Sequence, residues 1–301
     1  MARYPKAPVG ITLLLFSLAS LWPEAQASTF RNYKYCGLSE PVPKIINGSF
    51  VSRPQVPWLV HVKLIRRNGK VINCGGSLIT RDVVLTAANC LKDGHTLYRK
   101  ILAYYNSTAP FSGRSLEVTH AIIHKKYRHP SKGYDIALLK LSEPVPKFDR
   151  FVRPVCLPKP KQKTRPGRML LAGFGVAIYY GKKADRVLYY LTRALSDDDC
   201  RAALTKQWNH CVHVNKELLM CSKHHTQRMY KEDTGSPVTA YTRKGRKIKS
   251  FQYGIVSFFD KTNRGPAPTI QTRVSMYINW ISYSLNAMER WDRIVESRSD
   301  D

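Results

Sequence analysis

Acidic residues are scarce in this sequence: 21 Asp and Glu stand against 49 Lys and Arg, a formal net charge of +28. That imbalance excludes an acidic, solvating polypeptide and makes electrostatic attraction to polyanions physically plausible. Long apolar runs are nearly as scarce. Beyond the segment from Val9 to about Trp22, no stretch approaches the roughly 20 apolar residues that a membrane span needs. No internal repeat is visible, and the interleaved aromatic and basic signatures of RNA-binding modules are missing, which argues against a nucleic-acid partner.

What is present describes an exported, folded chain. At 301 residues and 43% hydrophobic content, it has material for one large domain or two packed lobes around a sizeable core. Arg3 and Lys6 precede the apolar run, and Ala25-Gln26-Ala27 follows it in the small-x-small form of a signal-peptidase site, so residues 1–27 read as a signal peptide and Ser28 as the first mature residue. Secretion is therefore expected. Seven cysteines in an exported chain should mostly pair, leaving one thiol over. Sequons at Asn47 and Asn106 fit the same setting as glycosylation sites. Residues 28–44, which include Tyr35-Cys36-Gly37, are too few to fold alone.

Short runs rich in apolar and β-branched residues recur at 57–64, 75–80, 83–88, 117–124, 136–141, 169–174, 187–195 and 253–259, separated by turn residues or basic segments. Many short strands between turn signals predict an all-β sandwich or barrel. Near the end, Met276, Tyr277, Trp280, Ile281, Leu285 and Met288 fall close to the spacing of one helical face, predicting a closing amphipathic helix. Basic clusters at 63–70, 124–129, 159–168, 182–186 and 242–249 read as loops, either solvated individually or converging on one surface.

A succession of blocks carries a more specific resemblance. Ile45-Ile-Asn-Gly48, Cys74-Gly-Gly-Ser-Leu-Ile79, Leu85-Thr-Ala-Ala-Asn-Cys90, Tyr134-Asp-Ile-Ala-Leu-Leu-Lys-Leu141, Val152-Arg-Pro-Val-Cys-Leu-Pro158, Asp233-Thr-Gly-Ser-Pro237, Gly254-Ile-Val-Ser257 and Tyr277-Ile-Asn-Trp-Ile281 occur in the order and approximate spacing of trypsin-like serine proteases. From about Cys36 to Met288 the chain resembles that family. The resemblance implies two perpendicular six-stranded antiparallel barrels, about 45–160 and 161–301, with a cleft between them and a C-terminal helix. It makes residues 28–44 a short pro-segment and implies no metal or cofactor.

It also implies a degenerate active site. The family needs a hydroxyl nucleophile, a base to take its proton and a buried carboxylate to orient that base. Asp135 matches the carboxylate, but Asn89 stands at the histidine position and Thr234 at the serine position. A carboxamide has hydrogen-bond donors with which to reach Asp135 and no lone pair basic enough to accept a proton near neutrality. General-base assistance is worth roughly 10² to 10⁴ in rate. His95 follows a few residues later, but base geometry tolerates too little misplacement for rescue to be expected. Glu232 falls where the family has an oxyanion-site glycine, so that with Thr234 the oxyanion position is altered too, a carboxylate opposing the developing charge. Arg228 matches the base of the specificity pocket, where it repels basic substrates, and Phe259 and Thr269 match its walls.

The resemblance pairs Cys36 with Cys156, Cys74 with Cys90 and Cys200 with Cys221, with Cys211 as a competitor or a free thiol. Tyr230 replaces a cysteine that pins the nucleophile loop in the family. Lys44-Ile45 resembles an activation site, and Asp233 the carboxylate that receives the new Ile45 ammonium after cleavage. The reading that follows is a secreted, non-catalytic homologue acting by binding, as cofactor, decoy or regulator in an extracellular proteolytic, immune or reproductive pathway. Its partner would be a protein, such as an active protease or a protease substrate. Two alternatives stand: a protein that binds heparin-like sulfated glycans on this scaffold, and a residual endopeptidase using Thr234.

Overall fold

Two closed rings of strands bury the apolar runs in the computed structural model, which describes residues 30–40, 49–50, 55–91, 98–164, 167–174, 178–179, 182–183, 187–207, 215, 217–223, 233–244, 247–258 and 268–299. The first ring uses β2 (Leu59–Arg66), β3 (Val71–Leu78), β4 (Val83–Thr86), β5 (Tyr98–Tyr105), β6 (Arg114–Ile123) and β7 (Ala137–Leu141), after a short β1 (Ser49–Phe50). These six close in the order β2-β3-β4-β7-β6-β5, every pairing antiparallel. The chain continues through β8 (Gly167–Gly173), the small pair β9 (Ile178–Tyr179) and β10 (Lys182–Lys183), β11 (Leu188–Ala194), β12 (Leu219–Lys223), β13 (Pro237–Lys244), β14 (Lys247–Phe258) and β15 (Thr269–Arg273). Here β8-β11-β12-β15-β14-β13 form the second six-stranded antiparallel ring, closed by β13 returning to β8, and β1 adds to it along β11.

Among the described residues three α-helices accompany the barrels: α1 (Ala88–Leu91), α2 (Asp197–Gln207) and α3 (Ile278–Ser299). The expected C-terminal helix is present, although Met276 and Tyr277 belong to a 3-10 turn before it. Helix α2 was not anticipated. Ser196 caps it by accepting the Asp199 N–H at 3.0 Å, and Asp197, Asp198 and Asp199 place negative charge at the positive end of its dipole. The basic stretch at 242–249 is another departure, because it forms the end of the β13–β14 hairpin, where Thr242 faces Lys249 across the ladder.

The core of the first barrel includes Trp58, Val62, Leu64, Leu85, Leu138 and Leu139, all almost wholly buried. Complete burial of such side chains stabilises a fold by about 1.5–3 kcal/mol each before conformational entropy is subtracted. Polar contacts join the barrels: Ser77 Oγ on β3 donates to Gln252 Oε1 on β14 at 2.5 Å. Disulfides link Cys36–Cys156, Cys74–Cys90 and Cys200–Cys221. Cys211 lies outside the described residues, as do the proposed signal peptide, Asn47 and His95.

One buried histidine sets an acid limit on this fold. His61 on β2 is 1% exposed. It stacks on Phe174 and packs against Phe111, each with ring centroids 4.7 Å away, and its Nδ1 accepts the Phe111 N–H at 3.2 Å. Burial, assisted by the nearby Lys63 charge, depresses its pKa to about 4. The neutral ring belongs to the fold. Its contribution is complete above the unfolded value near 6.5 and is lost as pH falls towards 4.

Candidate functional site

Asp135 lies immediately before β7, behind Gly133 and Tyr134, whose positive φ values of 80° and 61° turn the chain into the barrel seam. It is fully buried. Oδ1 accepts the backbone N–H of Asn89 at 2.7 Å, Oδ2 accepts the hydroxyl of Ser257, and its own carbonyl accepts Thr272 Oγ1 at 2.8 Å. Burial pushes the Asp135 carboxyl up to about 7, and the bonds from Ser257 and from the Asn89 and Ala88 backbones offset only part of that rise.

Asn89 sits on α1, which Cys90 ties to β3 through the bridge to Cys74. Asn89 meets Asp135 through its backbone N–H, not through the expected side-chain amide. The side-chain oxygen instead accepts the Tyr127 hydroxyl at 3.4 Å, a long hydrogen bond. Tyr127 is almost completely buried, and its phenol is pushed far up by burial and then by the charge of Asp135. A neutral carboxamide thus lies between a neutral phenol and a carboxyl whose pKa burial raises to about 7. The row contains no cation, and its one ionisable carboxylate, Asp135, is engaged by the Asn89 N–H and the Ser257 hydroxyl.

Thr234 lies on the other wall of the seam, 5% exposed. Its carbonyl accepts the Gly75 N–H at 2.8 Å and lies 3.5 Å from Cys90 Sγ, so the turn carrying Thr234 rests on the segment carrying Asn89. The tight turn is closed by the Ser236 N–H donating to the Asp233 carbonyl at 2.9 Å, with Gly235 at φ +87°. Asp233 is buried, and a Cβ on Gly173 would approach its Oδ1 to 2.3 Å. Ser236 Oγ, beside that carboxylate, has no hydrogen-bond partner among the described residues.

Thr269 is buried at the start of β15 opposite Ser222 of β12, and its carbonyl accepts Gln271 Nε2 at 3.3 Å. Its expected pocket companions Arg228 and Phe259 lie outside the described residues, as do Glu232, Tyr230, Lys44 and Ile45. Asn106 follows β5 directly with φ 55° and is half-buried. Ser257 and Tyr127 are the partners that sequence reasoning missed. Ser257 stood inside a recognised block, so its position was visible while its bond was not. Among the described residues no group of His, Cys, Asp and Glu is placed to hold a metal ion, and no helix is long and apolar enough to cross a membrane.

A trypsin family model matches residues 45–281. The clotting factor G beta subunit of Tachypleus tridentatus is 26% identical over 262 residues, covering 83% of this chain and 82% of the relative. Phenoloxidase-activating factor 3 of Holotrichia diomphalia is 27% identical over 268 residues, covering 83% and 74%. Among solved structures, the scabies mite inactivated protease paralogue S-I1 matches with a TM-score of 0.66 at 24% identity, over 80% of this chain and 99% of that one, which is a likeness of fold.

Proposed function

The chain belongs to the trypsin family, and from that premise we propose that it is a secreted, non-catalytic member acting by binding protein, as cofactor, decoy or regulator of an extracellular proteolytic pathway. The observation that carries this reading is Asn89. It occupies the place of the base in this reading, its backbone engages Asp135, and among the described residues its side chain meets the Tyr127 hydroxyl alone. Deprotonating Thr234 requires a base within hydrogen-bond reach, and a carboxamide is not one. Export, the signal peptide at 1–27 and glycans on Asn47 and Asn106 belong to the same proposal. The relatives named for clotting and for phenoloxidase activation support a proteolytic cascade as its setting.

Conformational activation survives loss of turnover in this reading. Cleavage at Lys44–Ile45 would supply an ammonium to Asp233, and Ser236 Oγ beside it, which has no partner among the described residues, would gain a donor. A buried carboxylate and an inserted cation compensate each other, so cleavage orders the surrounding turn without catalysis.

The deciding experiment presents the purified protein, before and after cleavage at Lys44, with a diverse fluorogenic peptide library. No turnover above background is expected from either form, with N-terminal sequencing verifying the cleavage. Hydrolysis that vanishes in Thr234→Ala, with contaminating proteases excluded, establishes the residual endopeptidase and overturns the proposal.

The net charge of +28 favours a second reading, a sulfated-glycan binder displaying charge on a protease scaffold. It predicts retention on heparin well beyond that of a generic basic protein of equal charge. Under the protein-binding reading the two elute at similar salt, because dispersed surface charges are screened alike.

A further inference from the structure

The segment 30–40 does more than tether itself to the barrels. It is fastened along its length. The Asn32 side chain donates to the Leu157 carbonyl and accepts the Leu157 N–H, both at 2.7 Å. Cys36 is bridged to Cys156, the Gly37 N–H reaches the Pro154 carbonyl at 2.8 Å, and Ser250 N–H returns to the Gly37 carbonyl at 2.8 Å. Yet Tyr33 and Tyr35, within this pinned stretch, are 47% and 52% exposed. Rigid, exposed aromatic rings are what a binding surface needs, since they offer contact area with little ordering cost.

The two tyrosines, Phe148 and Arg153 line a groove of about 300 Å³. Tyr33 meets Phe148 edge-on with ring centroids 5.0 Å apart. Arg153 donates through Nε to the Asp149 carbonyl at 2.9 Å, an attachment that, among the described residues, leaves both terminal nitrogens of its guanidinium for a ligand. Lys34 Nζ stands 5.3 Å from the Tyr35 ring centre, adding a second cation at the rim. Two acidic residues temper the site: Glu40 lies 4.0 Å from Arg150, and Asp149 is occupied by the Phe151 and Val152 N–H groups.

We propose that this groove docks an acidic peptide segment of a partner protein, with a carboxylate on the Arg153 guanidinium and a neighbouring apolar side chain against Tyr33, Tyr35 and Phe148. The proposal rests on the protein-binding reading and specifies where and what it binds. The planar fork of arginine matches a carboxylate through two parallel bonds, and tyrosine and arginine are the side chains that dominate interface energetics. A sulfated glycan fits less well: three aromatic rings offer it few donors, and Glu40 and Asp149 at the edge repel an extended polyanion while tolerating a single carboxylate.

Titration calorimetry on the full-length protein provides the test, with the capped peptide acetyl-Gln-Glu-Phe-Gln-Gln-amide as probe, its Gln-Gln-Phe-Gln-Gln counterpart as control and a heparin hexasaccharide as competitor. The acidic peptide is expected to bind at least about tenfold more tightly than the control. Arg153→Gln, which retains a donor for the Asp149 carbonyl, is expected to weaken it by about tenfold or more, as loss of a charge-assisted bond does. Tyr35→Ala weakens it several-fold, and unchanged thermal midpoints show that both variants remain folded. No binding at millimolar peptide, equal affinity for the two peptides, or indifference to Arg153→Gln overturns the proposal. Displacement by an equal concentration of hexasaccharide overturns it in favour of a glycan site. None of these outcomes depends on whether the protein hydrolyses peptides, so failure here leaves the non-catalytic reading separately decided by the peptide library.

Discussion

At pH 8 the Asp135→Asn variant is expected to melt roughly 5–10 °C above the parent protein, and at pH 4 the two are expected to coincide within about 2 °C. The reason is the energetic position of a buried acid with no cation beside it among the described residues. Asp135 is fully buried and its pKa rises from 3.8 to about 7, a shift of about three units, equivalent to about 4 kcal/mol. The sign follows from proton binding. Between pH 3.8 and 7 the folded protein holds a proton that the unfolded chain has released, so this group's contribution is complete below 3.8 and is lost as pH rises through 7. Asparagine removes that loss. Its oxygen accepts the Asn89 N–H as Oδ1 does now, and its amide engages Ser257 in place of Oδ2, so the gain at pH 8 is about 2–4 kcal/mol. An imidazolium at position 89 would hold Asp135 ionised and reverse the outcome. Destabilisation of Asp135→Asn at pH 8 would therefore reveal an unrecognised cation beside the carboxylate and sink the account of the site.

The same experiment has a counterpart in His61. Its stabilising neutral form is lost as pH falls from 6.5 towards 4, while Asp135 gains as pH falls through nearly the same interval. In the parent protein the two slopes oppose each other. Asp135→Asn exposes the histidine slope, so the variant's stability declines into acid more steeply than the parent's. His61→Gln, whose oxygen can accept the Phe111 N–H now held by Nδ1, exposes the carboxylate slope.

Legibility of this site followed the chemistry of the backbone more closely than that of the side chains. Leu85-Thr-Ala-Ala-Asn-Cys90 and Asp233-Thr-Gly-Ser-Pro237 are contiguous, and each could be read as one unit. Their meeting, seen in Cys90 Sγ lying 3.5 Å from the Thr234 carbonyl, follows from the two-barrel fold that the blocks implied. The hydroxyls of Tyr127 and Ser257 reach Asn89 and Asp135 from separate elements, and no spacing in the sequence encodes those encounters. Strand β5 was missed because Arg99 and Lys100 interrupt its apolar pattern. In the barrel Lys100 finds Glu117 at 3.1 Å across the neighbouring strand, a partner distant in sequence. Likewise 242–249 read as a loop by charge, although Tyr241, Thr242 and Ile248 are strand formers that prevail once β13 and β14 pair.

Gly235→Ala should be the more damaging change, costing at least about 3 kcal/mol and a thermal midpoint lower by roughly 6 °C or more. Two causes act together. The φ of +87° at Gly235 disfavours any side chain, by about 1–2 kcal/mol. In addition, a Cβ there would lie 2.3 Å from the Gly75 carbonyl oxygen and 2.4 Å from Thr86 Oγ1, and these two atoms are already joined by a 2.7 Å hydrogen bond. Neither can retreat cheaply: Gly75 is held on β3 and its N–H is engaged by Thr234 at 2.8 Å. Gly69 separates the causes, because its φ is +79° with nothing within 4 Å of the added carbon. Gly69→Ala should therefore cost only the conformational part, about 1 kcal/mol. If chemical denaturation gives the two variants equal losses, strain in the turn explains both, and the contact between the Thr234 turn and the first barrel carries no stability of its own. A larger loss at Gly235 means that this turn is packed against the first barrel as a structural seam, with a stability of its own beyond the strain at one backbone angle.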